Sequence, residues 1–288
     1  MVNHQTFDIF DTIDKYLMEE HNAIDHREKT TTKKKIFVKI TNREEKHYNH
    51  QYVDGLNELS EPFSGTGSCS SAGFYFTDID HVHEFLHYGV NLRVVELPYD
   101  DIDFKCLPDG NDKWRANKII LGEKYSLADV ETYQFLEANG FDLYANAHKV
   151  FRHAIKNDFM EIVFHLLKMY SIAQSLCDVH ALRCAIINNN LAAVDLLIRV
   201  KYNNIGNTSN TYGDNGVQAY LRHGFEISAC YGKIDAVHRL IHWIKKCKRK
   251  HYYDFHDLND RNWLIKSTMN IAKDHNYMDI YQLLLTSF

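Results

Sequence analysis

Between Phe151 and Leu285 the chain runs four times through one pattern, and this recurrence limits the possible folds more than any other feature. Each copy is anchored on a small residue: Ala154, Ala185, Ser228 and Ala272. A small side chain is what a helix needs where a second helix must come close. Four positions after each anchor stand Asp158, Asn189, Gly232 and Asn276, residue types that tolerate left-handed backbone angles. Seven positions after each anchor stand Glu161, Ala192, Asp235 and Asp279. Three of these are acidic and fall near a helix start, where the helix dipole favours negative charge. The apolar pairs Leu166-Leu167, Leu197-Ile198, Leu240-Ile241 and Leu284-Leu285 close the copies, and Phe151, Leu182, Phe225 and Met269 precede the anchors. The cleanest copy, His180 to Val200, reads as two short antiparallel helices joined at Asn188-Asn189-Asn190. Such a hairpin cannot bury its apolar faces alone, so it requires similar neighbours.

The four segments resemble ankyrin repeats, whose second half reads A-A-x-x-G-x-x-E-x-V-x-x-L-L. They depart from that family in lacking the T-P-L-H opening. Successive anchors lie 31, 43 and 44 residues apart, against a usual period of about 33. The stretch Ser126–Ala145, with FLEANGFDL inside it, is similar to the second helix of one more unit and reads as a half-repeat cap, which a stacked array needs at its end. The longer connections, Tyr202–Arg222 and Lys245–Asn262, read either as longer helices joined by a solvated loop or as extended loops on one edge that form a binding surface. Asn188, Asn189, Tyr212 and Tyr252 fall near such edges.

Before Ser126 the pattern is different. IFVKI (Ile36–Ile40), FYFT (Phe74–Thr77), NLRVVELP (Asn91–Pro98) and ANKIIL (Ala116–Leu121) read as strands. In the third, Leu92, Val94 and Glu96 alternate with Arg93, Val95 and Leu97, the period of a strand. QYVDGLNEL carries a possible bend at Gly55, Ser64–Gly73 reads as a small-residue loop, and DIDHVHEFLHYG reads as a helix stopped by Gly89. Residues 1–34 read as a helix, with Phe7, Ile9, Phe10, Ile13 and Leu17 at helical spacing, followed by a polar tail. The expected architecture is therefore an α+β N-terminal domain (35–125) and an all-α ankyrin-repeat solenoid (126–288) with a half-repeat cap and about four units.

A formal charge of −5 gives no overall electrostatic case for nucleic acid. Cys69, Cys106, Cys177, Cys184, Cys230 and Cys247 include no C-x-x-C pair, a usage that suits reduced thiols in a cytoplasmic setting. No apolar run approaches membrane-spanning length, and MVNHQTFDIF lacks the basic start and apolar core of a signal peptide. A soluble, non-secreted protein is expected.

Taken in order, FVKITNREEKH, QYVDGLNEL, GFYFTDIDHVHEFLHYGVNLRVVELP and DKWRANKIIL, followed by weak repeats, are similar to the ankyrin repeat proteins of mimivirus-like giant viruses. The resemblance covers about Lys35 to Phe288. It implies a viral protein made in an amoebal host, placed in the host cytoplasm or the virion, and it implies no known activity.

Three motifs bear on chemistry. HEFLH (His83–His87) matches H-E-x-x-H, in which a helix turns two histidines toward one zinc while the glutamate activates its water. Here His83, Glu84 and His87 would take those roles, with His81 and Glu96 as loose additions. The bland reading puts Val82, Phe85 and Leu86 against the sheet and the histidines in water. GFYFTD (Gly73–Asp78) resembles the G-I-Y-F segment of ADP-ribosyltransferases, but VKITN offers Ile40 and Thr41 where that family has a histidine, and Glu96 cannot be assigned as its acid. KKCKRKH (Lys245–His251) could meet an anionic partner, or be a solvated helix end. SGTGS does not fit a phosphate-binding loop. No catalytic, cofactor-binding or metal-binding residue is assigned. The expectation is a non-enzymatic protein–protein interaction module with a host protein as partner. The alternative is an N-terminal enzyme, ADP-ribosyltransferase-like or metal-dependent, targeted by the repeats.

Overall fold

A computed structural model describes residues 35–63, 73–169, 173–203, 213–248 and 258–288. The N-terminal helix and tail, most of the Ser64–Gly73 loop, and the centres of the two long connections, with Tyr212 and Tyr252, lie outside the described residues. The described residues form two compact units, one within 35–153 and the other within 154–288.

Among its described residues the first unit has nine strands: β1 (Phe37–Thr41), β2 (Lys46–His47), β3 (His50–Gln51), β4 (Gly55–Glu58), β5 (Phe74–Asp78), β6 (Asn91–Glu96), β7 (Cys106–Pro108), β8 (Lys113–Ala116) and β9 (Lys118–Ser126). Seven of them make one sheet in the order β4-β9-β6-β1-β5-β8-β7, and β2 and β3 form a separate hairpin. Every pairing in the large sheet is antiparallel. One face carries a core of Phe74, Phe76, Val95, Ala116, Ile119 and Leu121, capped by Tyr52. Val38 and Ile40 alternate to the opposite face of β1, where the pleat requires them. The β6–β9 register shifts between Arg93 and Val95. The extra residue falls at Gly122-Glu123 and makes a bulge there.

The segment from Asp78 to Gly89 is not the expected α-helix. It makes two 3-10 turns, Val82–Glu84 and Leu86–Tyr88, with Phe85 outside both. A stretch this short, rich in histidine and aromatics, falls below the length at which an α-helix sustains itself. Tertiary contacts decide its shape. Val82 and Leu86 are buried and both turns pack on β1. Gly89 then lies so close to β1 that a Cβ there would sit 2.0 Å from the Thr41 carbonyl oxygen.

The helices are α1 (Val130–Ala138), α2 (Leu143–Lys156), α3 (Met160–Met169), α4 (Ala173–Leu176), α5 (Val179–Ile187), α6 (Leu191–Asn203), α7 (Gly213–Cys230), α8 (Ile234–Lys248), α9 (Leu258–Asp274) and α10 (Met278–Ser287). The four aligned turn residues all have positive φ: Asp158 59°, Asn189 56°, Gly232 64° and Asn276 63°. Each anchor is completely buried, and its carbonyl accepts the N–H five residues on, at 2.8 to 2.9 Å. This is the 6→1 bond of a Schellman ending, which satisfies an orphan carbonyl and reverses the chain. The repeated sequence pattern is therefore a repeated helix stop.

That recurrence does not produce the expected architecture. The described part of 35–125 contains no α-helix, so the N-terminal region is an antiparallel sheet and not an α+β domain. The rest is not a clear all-α ankyrin-repeat solenoid. Ser126–Ala145, expected as its cap, groups with the sheet unit. The helices vary from 4 to 18 residues, and the uneven anchor spacing prevents a constant repeat. What the second unit does contain is three contacting hairpins, α5/α6, α7/α8 and α9/α10. Their first helices touch in the order α5, α7, α9 and their second helices in the order α6, α8, α10.

Buried polar groups tie this unit together. Asn190 caps α6 by accepting from the Ala193 N–H at 2.9 Å and donates to the Ile155 carbonyl at 3.0 Å. Asp195 on α6 accepts from the Trp243 indole at 2.9 Å and meets Arg239 of α8 at 3.2 Å.

Candidate functional site

An open hollow of about 430 Å³ lies between α5 and α7 in the second unit. Val179 and Arg183, four apart, line it from α5. His223, Glu226 and Ile227 line it from α7 and Tyr231 from the turn that follows it. The N-cap of α5 fixes one wall: Asp178 accepts from the Ala181 N–H at 2.7 Å, and the buried Tyr220 hydroxyl donates to the Asp178 carbonyl at 3.3 Å. Gly224 on α7 leaves room for its neighbours: a Cβ there would sit 2.8 Å from a Leu240 methyl of α8 and 3.4 Å from a Leu182 methyl of α5.

Across the hollow, the Arg183 guanidinium donates to the Tyr231 hydroxyl and lies 5.2 Å from that ring's centre. His223 and Glu226 sit 3.5 Å apart on α7. Val179 is 37% exposed and Tyr231 40%. The surface continues onto α9, where Trp263 is 52% exposed with the Arg222 guanidinium 4.8 Å from its ring. Half-exposed aromatics carrying arginines are typical of contact surfaces between proteins. Sequence reading did not single out these residues. The available signal was a row of polar and aromatic residues at helical spacing on α7, opposite its buried stripe.

The H-E-x-x-H segment has a different geometry from a zinc helix. His83 and His87 fall on separate 3-10 turns. His83 Nε2 lies 3.2 Å from a Glu84 carboxylate oxygen, and His87 Nδ1 lies 3.0 Å from the Glu84 backbone carbonyl. Glu84 itself is held by Lys149 of α2 at 2.6 Å, and that hydrogen bond keeps its carboxyl below the usual range. Burial lowers the His83 pKa. His81 turns instead to Asp78, 2.6 Å away, and Glu96 is exposed at the end of β6, opposite Ile120. Among the described residues no group of three His, Cys, Asp or Glu side chains is arranged to hold a metal ion. In GFYFTD, Phe74 and Phe76 are committed to the core, because β5 lies inside the sheet between β1 and β8.

A second polar cluster lies at one end of the sheet. Lys39 and Arg93 are cross-strand partners on one face, both buried. Arg93 bonds both Glu45 carboxylate oxygens at 3.2 Å and also Asp54. Lys39 donates to the Tyr75 carbonyl at 2.6 Å and lies 4.8 Å from the Tyr52 ring centre. Burial pushes its ammonium down to about 7.

No helix among the described residues is long and apolar enough to cross a membrane. No family model and no solved structure matches the chain. Proteins of Acanthamoeba polyphaga mimivirus do. "Putative ankyrin repeat protein R868" is 42% identical over 132 residues, 45% of this chain and 65% of that protein. "Putative ankyrin repeat protein R229" is 37% identical over 141 residues, 45% of this chain and 46% of that protein. The chain thus spans less than two thirds of either ankyrin-named relative. "Uncharacterized protein R869" is 40% identical over 135 residues, 46% of this chain and 98% of that protein. The chain belongs to this mimivirus protein family, several of whose members carry ankyrin-repeat names.

Proposed function

We propose that the chain is a non-enzymatic interaction protein, an adaptor or scaffold of viral origin that engages a host protein through the α5/α7 surface. The observation that supports this most is the hollow itself, with Tyr231 and Val179 half-exposed beside Arg183 and Glu226. An aromatic anchor beside an arginine supplies apolar contact, and the charged rim fixes orientation. The ankyrin-repeat names of the relatives favour the same class of function. The enzymatic alternative has less support, because the H-E-x-x-H residues lie on two separate turns and Glu84 is engaged by Lys149.

The test is capture from amoebal lysate by the tagged full chain, compared with Tyr231→Ala and Arg183→Glu variants that keep the parent's thermal melt. A protein held by the parent and lost by both variants is the expected result. Turnover of NAD, or stoichiometric zinc lost in His83→Ala, together with unchanged capture by the two variants, would replace this reading with the enzymatic one.

A further inference from the structure

We propose that the outer face of the α9/α10 hairpin is a self-association surface, on which a second copy of this chain seats its own α9/α10 hairpin to form a closed two-fold dimer. One sequence position carries the argument. Thirteen residues after the four anchors stand Leu167, Ile198, Ile241 and Leu285. The first three are 4%, 0% and 6% exposed, whereas Leu285 is 55% exposed. Three residues further on, Ile244 of α8 is completely buried, and the aligned Phe288 is 40% exposed with the Lys245 ammonium 5.9 Å from its ring. Ahead of the anchors, Phe151, Leu182 and Phe225 are completely buried, and the aligned Met269 is only half-buried. In α6 and α8, each followed by another hairpin, the position is core. On α10 the same residue types stand at the surface. Stacked repeats are ordinarily closed by a unit with a polar outer face, and this hairpin keeps an inner unit's apolar residues instead.

A second copy is the occupant this chemistry fits. What covers the position elsewhere in the chain is a hairpin of the same pattern. The face therefore continues an interface the fold already makes twice, α5/α6 on α7/α8 and α7/α8 on α9/α10. Charge does not oppose it. Among the described residues the exposed charged side chains of α9 and α10 are Lys266, Lys273, Asp274 and Asp279, two of each sign, so like copies are not driven apart. Head-to-tail growth lacks a receiving face, because Leu167, Ile198 and Ile241 are already inside their own stack. The open face therefore meets its own copy, an isologous contact that closes at two chains.

The size of the face sets the strength. α9 has 17 residues and is about 25 Å long, and two helices abreast are about 20 Å wide. Each copy then covers about 500 Å², or about 1,000 Å² for the pair, at the low end of specific interfaces. A reversible dimer with a Kd of about 10 to 100 μM is expected. It would carry two α5/α7 surfaces and so bind a multivalent partner with avidity. The pairing itself does not depend on the adaptor reading; only that consequence does.

The test is sedimentation equilibrium of the full chain between about 1 and 200 μM, a range that brackets the expected Kd. The average mass should climb from one chain toward two and no further, and raised salt should not reverse it. Leu285→Glu, and separately Met278→Glu on the same helix, should hold the mass at one chain throughout while the melting temperature stays within a few degrees of the parent's. Tyr231→Ala, on the α5/α7 surface, should dimerise like the parent. A single-chain mass for the parent at every concentration would overturn the proposal. A dimer that survives both glutamate variants would do the same, as would one that Tyr231→Ala dissolves, which would place the contact on the α5/α7 surface. Mass growing past two chains would refute the closed two-fold. No host protein enters this experiment, so its failure leaves the adaptor reading untouched.

Discussion

The two units handle buried polarity in opposite ways. Among the described residues of the helical unit, the buried polar side chains are Asn190, Asp195, Ser228 and Thr268, and of these Asp195 alone is charged. Ser228 and Thr268 donate to their own helix at 2.7 and 2.8 Å, and Asn190 and Asp195 each link two helices. In the sheet unit four cations are buried: Lys39, Arg93, Arg115 and Lys118. A helix satisfies its own backbone and can leave its core apolar. A seven-stranded sheet with a loop folded over one end must place whatever alternation delivers to that face, and here it delivers lysine and arginine. The helical unit is thus held by repeated local geometry and the sheet unit by unique long-range pairs. Substitutions should separate the two modes.

The largest effect is expected in the sheet. Arg93→Met leaves Glu45, with a side chain only 14% exposed, without its main partner. Breaking one side of a buried pair costs about 3 kcal/mol or more. Denaturant unfolding should show the loss with no change in slope. If the midpoint stays put, the cluster is not holding the hairpin of β2 and β3 down. In the helical unit the strongest single change is Gly232→Ala. The new Cβ would meet the Tyr277 ring at 2.4 Å, at a φ of 64°, and about 2 kcal/mol is expected. The aligned change Asn189→Gly relieves the same backbone angle but adds chain entropy, so it should alter stability by no more than about 0.5 kcal/mol. Comparable losses at both sites would mean that the turns are not equivalent.

The helical turns were readable because each is written within six residues: anchor, left-handed residue and following N–H. Most strands were readable from alternation, but their boundaries were not. ANKIIL looks like one strand, yet it straddles β8 and β9. Asn117 divides them by donating its N–H to the Lys105 carbonyl at 3.0 Å while its side chain accepts from the Lys105 N–H at 2.7 Å. HVHEFLH shows the same limit. Val82, Phe85 and Leu86 fit an α-helix and two 3-10 turns equally well, and the packing of both turns and of Gly89 on β1 decides. The α5/α7 hollow was out of reach because Arg183 and Tyr231 are 48 residues apart, and nothing local pairs them. Ankyrin-like spacing identified the hairpins but did not fix how many would join one array.

Lys39 offers a test of the sheet with a pH signature. Among the described residues, its ammonium meets the Tyr75 carbonyl and the Tyr52 ring and no carboxylate. Because its folded pKa lies near 7 and its unfolded value near 10.5, the unfolded chain binds more protons between those limits. Stability from this group therefore rises with pH across that window, and the penalty is fully present below about pH 7. Lys39→Met removes the penalty and should stabilise by about 1 to 2 kcal/mol at pH 6. The gain relative to the parent should shrink as pH climbs toward 10. A gain that is flat with pH would mean the amine reaches water.

The smallest effect separates a structural from a chemical role for the H-E-x-x-H segment. Glu84 and Lys149 are both nearly half-exposed, with side chains at 47% and 42%. Exposed pairs of this kind contribute roughly 0 to 1 kcal/mol. Glu84→Gln should therefore lower stability by well under 1 kcal/mol. It frees the Lys149 ammonium, which depresses the neighbouring His83, and it removes the carboxylate that raises it. Both changes act in the same direction, so the His83 pKa should fall further, a shift that NMR titration of its ring protons would read directly. An upward shift would show that the Glu84 carboxylate is not beside that ring. The segment would then have to be reconsidered as a place where His83 and His87 can turn toward a common ligand.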